Sequence, residues 1–426
     1  MDELNQQLLA SCSTGNIEVI KQVLQHLQID LNCTNNEGQT PLHIACLNNQ
    51  IGIVKLLLND ERVDPNQVDN DRISPLIVSC SRGSIEIVEY MLVNGRVDVN
   101  QRNKYGQTPL CITCENEDIE IVKLLLNDQR VDVNKANDND QTPFLIACFY
   151  GYIEIVKLLL SDQRVDVNKA PNKYGTTPLY IACFRGHIEV VKLLLNDERV
   201  EINKENSKGR TPFLLACARG SLEIVKVLLN DERVDVNKMD DSGEIPLHAS
   251  CFEEDIGIVK LLLSDDRVDV NKANKYGRTP IHCVVEGTET IEKLEMVKLL
   301  LSDERVDLSK VDNNGATPLW VACKWGHIKT MEWILANEKE INLTLKDKKG
   351  RTPIDIASVP EKHLFDDEKS FQERSRNCSK VVELFRNPFE TRVRLRKQFG
   401  FAGKEKKKKK NNFFFSFKFY FIYISI

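Results

Sequence analysis

Thirteen cysteines and seven histidines are the residues of this 426-residue chain best suited to bind a metal or activate a nucleophile. Cys111-Ile112-Thr113-Cys114 has the spacing of a metal or redox pair. A zinc site needs a second ligand pair at matching spacing, and none follows. Eight cysteines instead share one slot, five residues after a proline: Cys46, Cys80, Cys114, Cys148, Cys183, Cys217, Cys251 and Cys323. Cys12 takes the same slot in a degenerate copy. Such phasing reads as small buried hydrophobes. Most histidines are phased too. His43, His248 and His282 stand two residues after a proline, and His187 and His327 follow a glycine. Only His26 and His363 fall outside these slots. There is no His-Glu-x-x-His, no Gly-x-Ser-x-Gly and no Walker loop. No catalytic residue, cofactor or metal is therefore expected.

Arginine is the other regular charge. Arg62, Arg96, Arg130, Arg164, Arg199, Arg233, Arg267 and Arg305 recur in one position. A carboxylate stands two residues after each, from Asp64 to Asp307. The spacing predicts a solvated Arg–carboxylate ladder rather than an anion-binding stripe.

These phases come from a repeat, which decides the architecture. Thr40-Pro41-Leu42-His43-Ile44-Ala45-Cys46 returns with its proline at 75, 109, 143, 178, 212, 246, 280, 318 and 353. Threonine then proline starts a helix: the hydroxyl caps free N–H groups, and proline fits the first helical position. A small residue such as Ala182 or Ala216 lets a second helix approach. A polar turn, often with glycine, ends the first helix. Ile-Val-Lys-Leu-Leu-Leu, as at 121–126, forms the second. Val-Asp-Val-Asn then predicts an extended segment running into a tight turn. Helices of about eight residues are not stable alone, so neighbouring units must stack.

Gly38 to Ala45, Gly175 to Ala182 and Gly315 to Ala322 resemble the ankyrin repeat, in which Gly-x-Thr-Pro-Leu-His-x-Ala precedes a helix hairpin. One departure is systematic: Asp-x-Arg-Val-Asp-Val-Asn replaces the usual Gly-Ala, similar to a variant in expanded ankyrin families of protists. The resemblance implies an all-α solenoid of about eleven helix-turn-helix units with short β-turn fingers. It divides the chain into a capping unit at 1–37, nine full repeats at 38–349 and a second capping unit at 350–386. A basic tail at 387–410 and an aromatic, low-complexity tail at 411–426 follow. The family uses the histidine of the repeat to bond the neighbouring turn. It places partner contacts at the finger tips and just after the first helix, on the concave face.

Those positions hold residues that the scaffold does not require. After the first helices stand Phe149-Tyr150, Phe184-Arg185, Ala218-Arg219, Phe252-Glu253 and Lys324-Trp325. Tyr174 and Tyr276 sit at finger tips, and Tyr180 and Trp320 replace the usual histidine. Aromatics and arginine are typical of interface hot spots. The expected function is a non-catalytic scaffold or adaptor that binds an unidentified protein, with the chain itself a monomer.

Composition agrees. Hydrophobic residues are 42% and charged residues 28%, which excludes a disordered polymer or a membrane bundle. The acidic start Met1-Asp2-Glu3 lacks a secretory pattern, so a cytoplasmic setting is expected, with the nucleus as alternative. Residues 388–410 hold ten Lys or Arg against two Glu, so an acidic body precedes a basic tail within a net charge of −5. That argues against nucleic-acid binding along the whole length. Lys406, Lys407, Lys408, Lys409 and Lys410 offer the alternative of a tether to anionic membrane or nucleic acid. The widest proline gap holds an insertion within Gly287 to Glu292, read as a loop between the two helices of its unit.

Overall fold

The computed structural model describes residues 2–170, 173–337, 341–358, 377, 380–386 and 388–400. The described residues are helical hairpins joined by turns, with no strand among them. They fall into two compact units, Met1–Lys275 and Tyr276–Ile426.

The first unit opens with Asp2–Thr14 and Ile17–Leu24. Seven hairpins follow, beginning with Pro41–Leu47 and Ile51–Leu58 and closing with Pro246–Phe252 and Ile256–Leu263. The start signal works as the residues predict. The hydroxyls of Thr40, Thr108, Thr142, Thr177 and Thr211 accept from the backbone N–H three residues on, with proline in the first turn. Each N-cap of this kind stabilises its helix by about 1 kcal/mol. First helices of successive hairpins pack side by side, as Pro143–Tyr150 does on Pro178–Arg185. Ala147, Ala182 and Ala216 are fully buried there.

The phased cysteines lie in the same layer, and no disulfide joins the twelve described cysteines. Burial pushes the Cys46 thiol up to about 12, and Cys114 is raised for the same reason. A thiol held this far from ionisation is a poor nucleophile.

The Val-Asp-Val-Asn segments are not extended. Each turns back at once, because the aspartate carboxylate accepts from the N–H two residues later. Asp64 does this to Asn66 at 2.9 Å and Asp132 to Asn134 at 3.1 Å. The fingers beyond pack closely. Gly209 has φ +70°, and a Cβ there would lie 2.9 Å from the Asp241 nitrogen, so only glycine fits.

The second unit is less regular. Its first hairpin has a short helix, Pro280–Val284, and a long one, Ile291–Ser302. The insertion between them is bonded down rather than loose. His327 Nε2 donates to the Gly287 carbonyl at 2.7 Å, and Glu289 accepts from the Thr330 hydroxyl at 2.7 Å. Helices Pro318–Trp325, Ile328–Ala336 and Pro353–Ser358 follow. A helical segment at 380–386 buries Val381, Leu384 and Phe385, as a capping helix should. The expected basic tail begins instead with a packed helix, Pro388–Gln398, which lies against Ile328–Ala336. It buries Thr391 and Leu395, one turn apart on a single face. The Phe399 ring stacks on Trp333 at 4.5 Å. Residues 401–426, with Lys406 to Lys410 and the aromatic end, lie outside the described residues.

Candidate protein-binding face

Two rows of side chains run along the first unit, and both contain arginine. The first is the regular row. Arg164 donates through Nη2 to the Leu126 carbonyl at 2.6 Å, at the end of the second helix of the preceding hairpin. Arg199 does the same to Leu160 at 2.7 Å and Arg267 to Leu229 at 2.6 Å. Each guanidinium also pairs with the aspartate two residues before it: Asp162, Asp197 and Asp265. The expected partner, two residues after, is engaged in its own turn instead. The arginine is thus a strut that satisfies orphan helix-end carbonyls and complements the helix dipole. Hydrogen bonds from Arg164 hold the Asp162 carboxyl below its usual range.

An asparagine row braces the struts. Asn134 Nδ2 donates to the Arg164 carbonyl at 2.7 Å, and its Oδ1 accepts from Asp166 N at 2.8 Å. Asn32, Asn66, Asn100, Asn168, Asn203 and Asn237 repeat this clamp on the next unit. The signal was present in the sequence as a phased asparagine.

The second row follows the first helices and changes from unit to unit. Phe149 is half-buried; Tyr150 and Phe184 are each 41% exposed and Phe252 78%. Arg185 lies over the Phe149 ring at 4.1 Å, and Arg219 over Phe184 at 4.6 Å. Tyr150 meets Phe149 edge-on at 5.1 Å and stacks on Tyr152 at 5.4 Å. Tyr152, absent from the expected site, joins the cluster because it follows Gly151 at the helix end. The first unit thus brings Phe149, Tyr150, Phe184, Arg185 and Arg219 into linked contacts. Lys324 and Trp325 occupy the matching slot of the second unit and are half-buried.

Family models described as ankyrin repeats match residues 23–75, 52–137, 76–171, 129–206, 198–274, 255–347 and 290–363. The chain belongs to the ankyrin-repeat family. No curated protein matches it closely enough to serve as a relative.

Within ankyrin units the histidine slot is structural, and here it behaves so. His43 Nε2 donates to the Ile73 carbonyl of the next finger at 2.9 Å, and His282 reaches Ala316 at 3.1 Å. Desolvation holds His43 below its ordinary pKa. Tyr180 and Trp320 were expected to face a partner. They are only 7% and 6% exposed and do the work of the histidine. Asn206 Nδ2 donates to the Tyr180 hydroxyl at 3.0 Å, and Trp320 Nε1 donates to the Arg351 carbonyl at 3.3 Å. A larger side chain in that slot reaches the next finger rather than solvent.

The finger-tip tyrosines Tyr174 and Tyr276 are exposed, as is Tyr105, which sequence reasoning passed over. All three sit in Lys-Tyr-Gly, so the same signal marked them. Lys104 and Lys173 each cover the adjacent tyrosine at 5.1 Å. Among the described residues no His, Cys, Asp and Glu cluster could hold a metal, and no helix is long and apolar enough to cross a membrane.

Proposed function

We propose that the chain is a non-catalytic scaffold or adaptor that binds a protein partner across Phe149, Tyr150, Phe184, Arg185, Arg219 and Phe252. Lys324 and Trp325 hold the matching slot within the second unit, and each unit adds a tip tyrosine, Tyr174 in the first and Tyr276 in the second. Ankyrin repeats generally mediate protein–protein interaction. The observation that carries the reading is exposure of large aromatics in the two slots after the first helix, which earlier hairpins fill with Leu47-Asn48, Ser81-Arg82 and Glu115-Asn116. An exposed aromatic and arginine patch is the composition of a hot spot. Reduced, buried thiols fit the cytoplasm as the place of action.

The test is affinity capture with the full chain, then titration of each captured protein against wild type and Phe184→Ala/Arg185→Ala. The double variant should bind about 30-fold more weakly or worse, as hot-spot truncations do. Equal affinity of the two chains would show that this row is not the site.

A further inference from the structure

The first unit shows how this face satisfies its own rings. Phe149, Phe184 and Phe252 hold one position, six residues after the proline of their helices. Arg185 covers Phe149 and Arg219 covers Phe184, each arginine coming from the following hairpin. Exposure rises along the row to 78% at Phe252. The residue before Arg219 is Ala218, so the register skips one hairpin and restarts at Phe252. Glu253 stands where Arg185 and Arg219 stand in their own hairpins.

The charge around Phe252 is opposite to that of the covered rings. Glu253, Glu254 and Asp255 follow it directly. Glu253 and Asp255 line one surface depression with Ala218, Arg219 and Gly220. Arg219 is the one cation of that depression, and its guanidinium is already laid on Phe184. The Asp255 carboxylate caps the next helix by accepting from Ile258 N at 2.9 Å, so the charge next to the exposed ring in sequence is that of Glu253. A ring with a carboxylate next to it attracts a cation through both its quadrupole and the negative charge. Guanidinium suits it better than ammonium, because a planar group can stack on the ring while its edge bonds a carboxylate.

We propose that Phe252, with Glu253 beside it, is a docking point for an arginine side chain of the protein partner. The inference rests on the reading of this row as a binding face and names the chemistry of one contact within it. A partner segment carrying arginine completes on Phe252 the stack that Arg185 and Arg219 make within the chain.

The experiment uses the full chain and two fluorescein-labelled nonapeptides, one of arginine and one of lysine, titrated by anisotropy in about 0.15 M salt, where weak surface attraction is screened. Wild type should bind the arginine peptide about five-fold more tightly than the lysine peptide. Phe252→Ala and Phe252→Leu should both erase that preference, and Phe252→Trp should keep it. Glu253→Gln should weaken the arginine peptide by about three-fold. Leucine retains apolar bulk, so its loss of preference separates the ring from packing. Equal affinity of wild type for both peptides, or an unchanged preference in Phe252→Leu, overturns the proposal. The wider binding face would still stand if Phe184→Ala/Arg185→Ala loses its captured partner.

Discussion

Arg164 and Arg219 lie in the same unit and do different work. Arg164 repeats in register with Arg130 and Arg199, and its guanidinium ends on a backbone carbonyl and an aspartate. Arg219 shares its register position in that unit with only Arg82 and Arg185, the other hairpins holding Asn, Tyr or Glu there, and its guanidinium ends on an exposed ring. The first kind is anchored to groups every unit has, since every helix ends in unsatisfied carbonyls. The second is anchored to side chains that vary. Register therefore separates scaffold from recognition more sharply than residue type does.

The second unit tests this rule, because its repeat fails where the first unit's does not. After Ile328–Ala336 the Asp-x-Arg-Val phrase is lost, and the chain reads Asn337-Glu338-Lys339-Glu340. The Leu301 carbonyl that an arginine there would brace is bonded by Asn337 Nδ2 at 3.1 Å, and Arg392 donates Nη2 to the Asn337 carbonyl at 2.7 Å. If helix Pro388–Gln398 holds the end of Ile328–Ala336 in place, ending the chain at Arg386 should have the largest effect. It removes Arg392, buried Leu395 and the Phe399 stack on Trp333. The second unit should lose about 4 kcal/mol, from one buried leucine and one charged hydrogen bond. Urea unfolding followed by tryptophan fluorescence at Trp320, Trp325 and Trp333 reads this directly, and an unshifted midpoint would make the helix an ornament.

Asn134→Ala strikes the regular row next. It leaves the Arg164 carbonyl and the Asp166 N–H without their clamp. Both groups are partly solvated, so the expected cost is about 2 kcal/mol. The same change at Asn116, which holds the variable slot after a first helix, should cost less than about 0.5 kcal/mol. Chemical denaturation of both variants checks the contrast, and equal losses would abolish it.

How much of this was legible in the chain depends on what each group bonds. The hairpins, caps and buried cysteines were legible, because their signals are local side-chain types at fixed spacing. The strut was legible in position but not in partner. Its acceptor is a carbonyl 38 residues earlier, and backbone atoms have no letter. The nearby carboxylate at Asp166 was therefore assigned to Arg164, although Asp162 holds it. Tyr180 and Trp320 were misplaced because size in the histidine slot does not reveal direction. The packing of the basic helix was not legible, because only Thr391 and Leu395 mark its buried face. Phe149, Phe184 and Phe252 stood out as large aromatics in a slot that changes from unit to unit.

Acid should separate the rows further. His43 has its pKa lowered from 6.5 by burial, so the unfolded chain takes the proton first. Its stabilising contribution is complete well above pH 6.5 and declines as pH falls below that value. Asp162 is lowered from 3.8 by hydrogen bonds from Arg164, so its contribution is complete above that value and lost as pH falls through the folded pKa. Urea midpoints measured against pH should show both declines. Asp60, Asp128, Asp197 and Asp231 are lowered in the same way, so Arg164→Ala should reduce the lower decline by the Asp162 share, and Arg219→Ala should leave both as they are. An identical acid profile in the two variants would remove the distinction between strut and stack.

The smallest effect is the sharpest measure of what the variable row contributes to folding. The Arg219 guanidinium lies over the Phe184 ring at 4.6 Å. A cation over an exposed ring is worth about 0.5–1 kcal/mol. A double-mutant cycle with Arg219→Ala and Phe184→Ala should therefore give a coupling of about 0.5 kcal/mol in the free protein. The equivalent cycle between Arg164→Ala and Asp162→Ala should give about 1.5 kcal/mol, because that pair is bidentate and better shielded. The ordering carries the argument. A Phe184–Arg219 coupling as large as the Asp162–Arg164 coupling would mean the stack is built to hold the units together. Aromatics outside the register would then be scaffold of a second kind. A weak coupling leaves the ring and guanidinium cheap to separate, which is what a surface must allow if a partner is to insert between them.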